Sequence, residues 1–315
     1  MPSREAVVAR SASALETAEQ RAARQVAAAY NQARQELIAR LLDGWTATGV
    51  LSPDDAARFL RQSGLLQQVD ARLQQLEREV GITLRGIVTA SSERAIDSIQ
   101  RELALLPPSI RGGFDGTTFG TINERVIEQF VPVAMADWRG LTTSMSSNLQ
   151  RELQTGLIQG EAYPNLVRRL LSQAPGEGAV FPRAQTSAEL ATRRLVVAAE
   201  NGAKQASIAE VSKQIPDIQK QALAAVGFNT TDCCLRVHGQ IQSVDAPFEL
   251  VGTPRFANQL MIPPFHHRCR TGIVMYHPVF EESMPTSKVK DAAEQELQRR
   301  REEARKGVKQ NSVAS

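Results

Sequence analysis

Two short stretches decide how this chain is read: Thr231-Asp232-Cys233-Cys234-Leu235-Arg236-Val237-His238-Gly239, and Pro263-Pro264-Phe265-His266-His267-Arg268-Cys269-Arg270. Every cysteine and every histidine of the 315-residue protein lies between Cys233 and His277. Chance would scatter them over the chain. Thiol and imidazole are both good ligands for tetrahedral zinc, the commonest reason for gathering the two. His266 and Cys269 have two residues between them, which lets one turn present two ligands to one ion. Cys234 and His238 supply two more across a hairpin. Cys233 and Cys234 would point opposite ways if extended, so one of them ligates. The expected metal set is Cys234, His238, His266 and Cys269, with Cys233 as the substitute ligand. Four protein ligands close the coordination shell, so the expected cofactor is a structural zinc. A plainer reading stays open beside it. Free cysteine packs as a small buried apolar side chain, and a loop histidine satisfies backbone groups.

Residues 230–277 around these stretches are rich in Pro, Gly, Phe, Cys and His, with short alternating segments at 235–244 and 271–276. They read as a compact β-hairpin and loop module. The sequence before them is helical in pattern. Val26, Tyr30, Ala33, Leu37 and Leu41 recur at steps of four, three, four and four, one face of a helix filling the first 45 or so residues. Gly44 and Gly49 mark a break. Ser52-Pro53-Asp54-Asp55 then starts a second helix: a capping hydroxyl, proline at the first helical position and acids against the positive helix end. Leu66, Val69, Leu73, Leu76 and Val80 form a heptad seam of about two repeats, read as an antiparallel hairpin or a dimeric coiled coil. The pattern continues through Ile87, Ile96, Ile99 and Leu103.

Pro107-Pro108 and the run Arg111-Gly112-Gly113-Phe114-Asp115-Gly116 interrupt it. Helix resumes from about Asn123 to Leu171, and Pro175-Gly176-Glu177-Gly178 with Pro182 mark a further loop. A long helix is expected from about Thr186 to Val211, with the small stripe Val196, Ala199, Ala203 and Ala206 suited to close packing. From Glu281 the chain is charged, a solvated helix or a disordered tail. The fold class is thus mainly α with a small α+β module near the C-terminus. The expected divisions are a helical region at 1–110, a connecting helical segment at 111–144, a domain at 145–280 and a charged tail at 281–315.

Composition excludes several classes. A formal charge of +3 is too near balance for a polycation coating nucleic acid. No apolar run reaches the roughly 18–20 residues of a membrane span. Arg4, Glu5, Arg10 and Glu16 occupy the place of a signal peptide's apolar core, so the expected setting is a cytoplasm-like compartment or a particle assembled there. The glycines at 112–116 lack the order of a phosphate loop. Neither a Gly-x-Ser-x-Gly elbow nor a His-Glu-x-x-His helix is present. Arg168-Arg169, Arg193-Arg194 and Arg299-Arg300-Arg301 fit phosphates or, more plainly, pair with nearby glutamates on exposed helix faces. Two functional alternatives stay open on the residues alone. One is a metal-dependent hydrolase or nuclease using the same ligands with Asp232 and Asp245. The other is a helical DNA-binding adaptor.

The two quoted stretches resemble the head-morphogenesis domain of Mu F-like phage minor head proteins. In that family a Cys-x-x-Cys…(Asp or His)-Gly segment precedes a Pro-Pro-x-His-Pro-x-Cys-Arg-Cys segment and a closing strand. Cys234 matches the second cysteine of the first segment and His238-Gly239 the acid-Gly pair. Pro263, Pro264, His266, Cys269 and Arg270 match the second segment. Val244-Asp245-Ala246-Pro247-Phe248 resembles the family's linker, Gly156-Leu157-Ile158-Gln159-Gly160 with Leu166 and Leu170 its opening helix pair, and Ala199-Glu200 its Thr-Glu helix. The likeness covers about residues 145–278, and its last 40 residues carry the specific motifs. Thr231 and Thr271 stand where the family has cysteines, and His267 where it has proline. Two missing thiols rule out a four-cysteine site; the histidines compensate, or the module holds without metal. The resemblance implies a non-enzymatic virion protein, present in few copies at the portal vertex of the head and in the host cytoplasm during assembly. Its implied partners are the portal protein, the major capsid or scaffolding protein and viral double-stranded DNA, with no membrane contact.

Overall fold

The apolar steps of the first 45 residues close into one helix, α1 (Arg4–Gly44), which buries Val26, Tyr30, Ala33, Leu37 and Leu41. The computed structural model describes residues 3–44, 52–114, 116–172, 180–252 and 256–313; Gly49 and Pro175-Gly176-Glu177-Gly178 lie outside them. Helix α2 (Pro53–Gln62) starts as its motif predicts, with the Ser52 hydroxyl accepting the Asp55 N–H at 3.2 Å. It stops at Ser63-Gly64, where Gly64 has φ +69°, a conformation that favours glycine. Helix α3 (Leu65–Leu103) carries the heptad seam, of which Val69, Leu73, Leu76 and Val80 are buried within the single chain and Leu66 is half-buried. The seam is therefore filled intramolecularly, as the hairpin reading requires.

A short α4 (Pro108–Arg111) and a 3₁₀ turn (Gly116–Thr121) follow the double proline, and α5 (Ile122–Ile158), α6 (Tyr163–Leu171) and α7 (Val180–Ser212) complete the long helices. Pro182, expected in a loop, lies in the first turn of α7 instead. Its missing N–H would have had no intrahelical acceptor there. A Cβ on Gly202 would come within 2.4 Å of the Phe130 ring, so α7 and α5 approach as closely as the small stripe suggests. No described helix is long and apolar enough to cross a membrane.

The chain divides into two units, neither continuous in sequence. The helical unit comprises Gln20–Ile87 and Val131–Arg193. Its polar contacts tie helix to helix: the Tyr30 hydroxyl donates to the Phe181 carbonyl at 2.8 Å and the Tyr163 hydroxyl to the Ile38 carbonyl at 2.7 Å. Arg72, 1% exposed, pairs with Glu36 and Glu79. Arg169, one of the arginines weighed for phosphate, is held by Glu152 and Glu161.

The mixed unit comprises Met1–Glu19, Val88–Phe130 and Arg194–Ser315. It holds β1 (Gln219–Ala224), α8 (Asp232–Val237), β2 (Ile241–Ser243), β3 (Phe248–Glu249), β4 (Gln259–Leu260), β5 (Thr271–Tyr276), a 3₁₀ turn (Pro278–Glu282) and α9 (Thr286–Val313). β1 is the middle of an antiparallel sheet ordered β2-β1-β5, with Gln219 opposite both Ser243 and Tyr276, while β3 pairs with β4. Within 235–244, expected to alternate as strand, the first three residues belong to α8 and only Ile241–Ser243 is strand. β1 itself has no apolar alternation: Lys220 and Gln221 are both fully buried, and the Lys220 ammonium donates to the Met261 carbonyl at 2.9 Å.

The outer edge of β5 is completed by side chains from helices. Asn201 of α7 donates to the Thr271 carbonyl and accepts the Ile273 N–H at 2.8 Å. Glu102 of α3 accepts the Met275 N–H at 2.7 Å, and Arg4 of α1 donates to the Met275 carbonyl at 2.9 Å. These groups do what a fourth strand would do for otherwise unpaired backbone. Burial pushes the Glu102 carboxyl up, against the pull of the Lys204 and Arg4 charges. The charged tail is α9, where Arg299 and Arg300 bond Glu296 at 2.7 and 2.8 Å, the plainer of the two arginine readings.

Candidate metal site

The first quoted stretch makes its turn as a helix. Thr231 sits extended before α8, and residues 232–237 coil, so Cys233 and Cys234 are about 100° apart around an axis rather than on opposite faces of a strand. That removes the reason for admitting only one of them. The second stretch folds as a knuckle: the Cys269 N–H donates to the His266 carbonyl, with Arg268 at φ +60° between them. The ligand-capable atoms of Cys233, Cys234 and His266 all lie within 4.8 Å of one another, close enough to hold a metal ion. His266 Nε2 is 3.0 Å from Cys234 Sγ, and Cys269 Sγ is 3.8 Å from Cys234 Sγ. All three thiols are free and buried, and His266 is 6% exposed.

Of the residues expected as ligands, Cys234 and His266 fall in this group with the substitute Cys233, while Cys269 lies outside it and reaches it through Cys234. His238 does neither. Helix α8 ends at Val237, and His238 leaves it in extended backbone, turning its ring toward the sheet. Its Nδ1 accepts the Ala224 N–H at 2.9 Å, and the ring also meets the Val289 backbone. Burial lowers its basicity, as suits an imidazole satisfying backbone groups.

Thr231 is the residue the motif reading undervalued. Standing where the resemblance places a cysteine, its hydroxyl lies 2.8 Å from His266 Nε2 and 3.3 Å from Cys233 Sγ. On the other side of the ring, His266 Nδ1 lies 2.5 Å from the His267 carbonyl, which it donates to, so Nε2 faces the sulfurs. The hydrogen bond from Cys234 holds the Cys269 thiol well below its ordinary range, and the bond between Cys233 and Cys234 brings Cys233 down to about 6. Cys234, in contact with both neighbouring thiols and buried, is pushed up. For His266, burial works downward, and the bond to Cys269 with its negative charge outweighs it. The thiolate is the metal ligand, so Cys233 and Cys269 are shifted toward the ligating form and Cys234 away from it.

Asp232, a carboxylate that a hydrolytic site would use, accepts from Arg236 at 2.8 Å. The 250–252 loop runs against that pair. Gly252 has φ +94°, and a Cβ there would sit 2.0 Å from the Asp232 carboxylate. A single glycine between Val251 and Thr253 gave no sequence signal of this close approach. No protein-family model, curated protein or solved structure matches the chain.

Proposed function

We propose that this protein is a structural component of a bacteriophage head, a minor head protein of the Mu F-like kind, with its C-terminal knot held by a zinc ion. The observation that supports the reading is the meeting of the two motif halves: Cys234, from the first, lies 3.0 Å from His266 of the second. Cys233, Cys234, His266 and Cys269 would hold the metal. Three thiols and one imidazole are a zinc-type donor set. Bound there, zinc supplies cross-linking of two chain segments in a region with little regular structure, and four protein ligands leave no open position for water activation. The His267 carbonyl, accepting from Nδ1, orients the imidazole and would leave the Nε2 lone pair for the ion, in place of its contact with Thr231. On this reading the protein is not an enzyme. Its partners are the portal protein, with the major capsid or scaffolding protein and viral double-stranded DNA as further contacts, at the portal vertex or head interior.

The test is the composition of particles. Mass spectrometry of purified proheads and virions should recover the chain in few copies, cross-linked to the portal protein. Consistent absence from both would end the assignment.

A further inference from the structure

A cavity of about 590 Å³ lies inside the mixed unit, between the N-terminal turns of α1, strands β1 and β5, and the start of α9. Its walls are mostly apolar, with Val8 and Leu15 on one side and Val274, Met284 and Val289 on the others. The volume is that of a pocket for a drug-sized molecule. Charge narrows the kind of molecule. The lining holds three carboxylates, Glu5, Glu16 and Glu19, and three cations, Lys204, Arg270 and Lys288, so the formal sum is zero. Glu16 and Arg270 pair with each other at 3.1 Å, and Lys204 pairs with Glu200 at 3.3 Å. An ion entering would meet as much repulsion as attraction and would lose hydration. A neutral apolar body would lose only the water that both surfaces hold weakly.

One polar feature remains. The Lys204 side chain is 4% exposed, and its ammonium donates to the Ser11 hydroxyl at 2.9 Å besides its pairing with Glu200. An ammonium has three hydrogens, which leaves one for an acceptor. We infer that the mixed unit binds a neutral, largely apolar small molecule carrying one hydrogen-bond acceptor, seated in this cavity with the acceptor toward Lys204. The inference is independent of the phage reading and of the metal.

The neutral naphthyl ketone Prodan has that chemistry and reports it by emission colour. Titrated into the full-length protein, it binds in a single saturable phase with blue-shifted emission. Two substitutions fill the cavity from opposite walls at solvent-exposed helix positions, Ala12→Phe on α1 and Ala292→Phe on α9. Each weakens binding by about tenfold or more, a difference of roughly 1.4 kcal/mol. Ala14→Phe, on an exposed α1 position outside the lining, leaves it unchanged. Absence of saturable binding, or equal binding by the filled variants and Ala14→Phe, overturns the inference. Two filling positions are used so that one remains decisive if the other disturbs the helix.

Discussion

The helical unit and the mixed unit reach stability by different physical means. In the helical unit the buried positions of α1 and α3 are apolar at helical spacing save Arg72, and the hydroxyls of Tyr30 and Tyr163 reach backbone carbonyls. In the mixed unit the decisive contacts are polar: Arg4, Glu102 and Asn201 finish the edge of β5, Lys220 is buried in the middle strand, and thiols meet imidazole beyond it. Apolar packing tolerates substitution in proportion to volume lost. A buried polar contact fails steeply, because removing one partner strands the other. The two units should therefore respond differently to single changes.

Glu102→Leu breaks the contrast hardest. It removes the carboxylate that most attracts Arg4 and leaves the Met275 N–H without an acceptor, while Lys204 keeps Glu200, at a cost of about 3–5 kcal/mol in denaturant unfolding. Glu102→Gln, which keeps an acceptor, should cost clearly less. If both variants unfold like the parent, the polar account of the mixed unit is wrong. Leu37→Ala in the helical unit should cost about 3 kcal/mol by the cavity rule, with no dependence on salt. Next comes Asn201→Ala, which orphans the Ile273 N–H and the Thr271 carbonyl together, at about 2 kcal/mol. Hydrogen exchange at Ile273 should quicken in that variant, and unchanged protection there would contradict the edge-capping role. Ser52→Ala is the smallest, about 1 kcal/mol for the lost cap of α2.

The same contrast explains what was legible in the sequence. Steps of three and four from Val26 to Leu41 and from Val69 to Val80 state a helix face outright, and the Ser52 cap announces its helix from four consecutive residues. The mixed unit offers no such period. Gln219–Ala224 is the central strand, yet it buries polar Lys220 and Gln221 on opposite faces, the first against Met261 and Phe248 and the second against Arg4, all far off in the chain. Glu102 and Arg4 look like ordinary exposed charges until β5 is placed beside them. At the candidate metal site, clustering of Cys and His located the two segments, and of the four expected ligands Cys234 and His266 fall in the group close enough to hold an ion. Reading Cys233-Cys234 and 235–244 as extended made Cys233 a mere substitute and drew His238 into the set; residues 232–237 form a helix instead, with Cys233 beside Cys234 and His266 and His238 on the Ala224 N–H. Thr231 was visible only as a departure from a motif, and its hydroxyl turned out to face the imidazole.

The central claim is that a metal ties the two stretches together through Cys233, Cys234, His266 and Cys269. The direct measurement is zinc content of the full-length protein purified without added metal. One zinc per chain is predicted, lost in Cys234→Ser and Cys269→Ser, reduced in Cys233→Ser and kept in His238→Ala. A metal-free parent protein, or zinc that disappears with His238→Ala and survives Cys233→Ser, would contradict it.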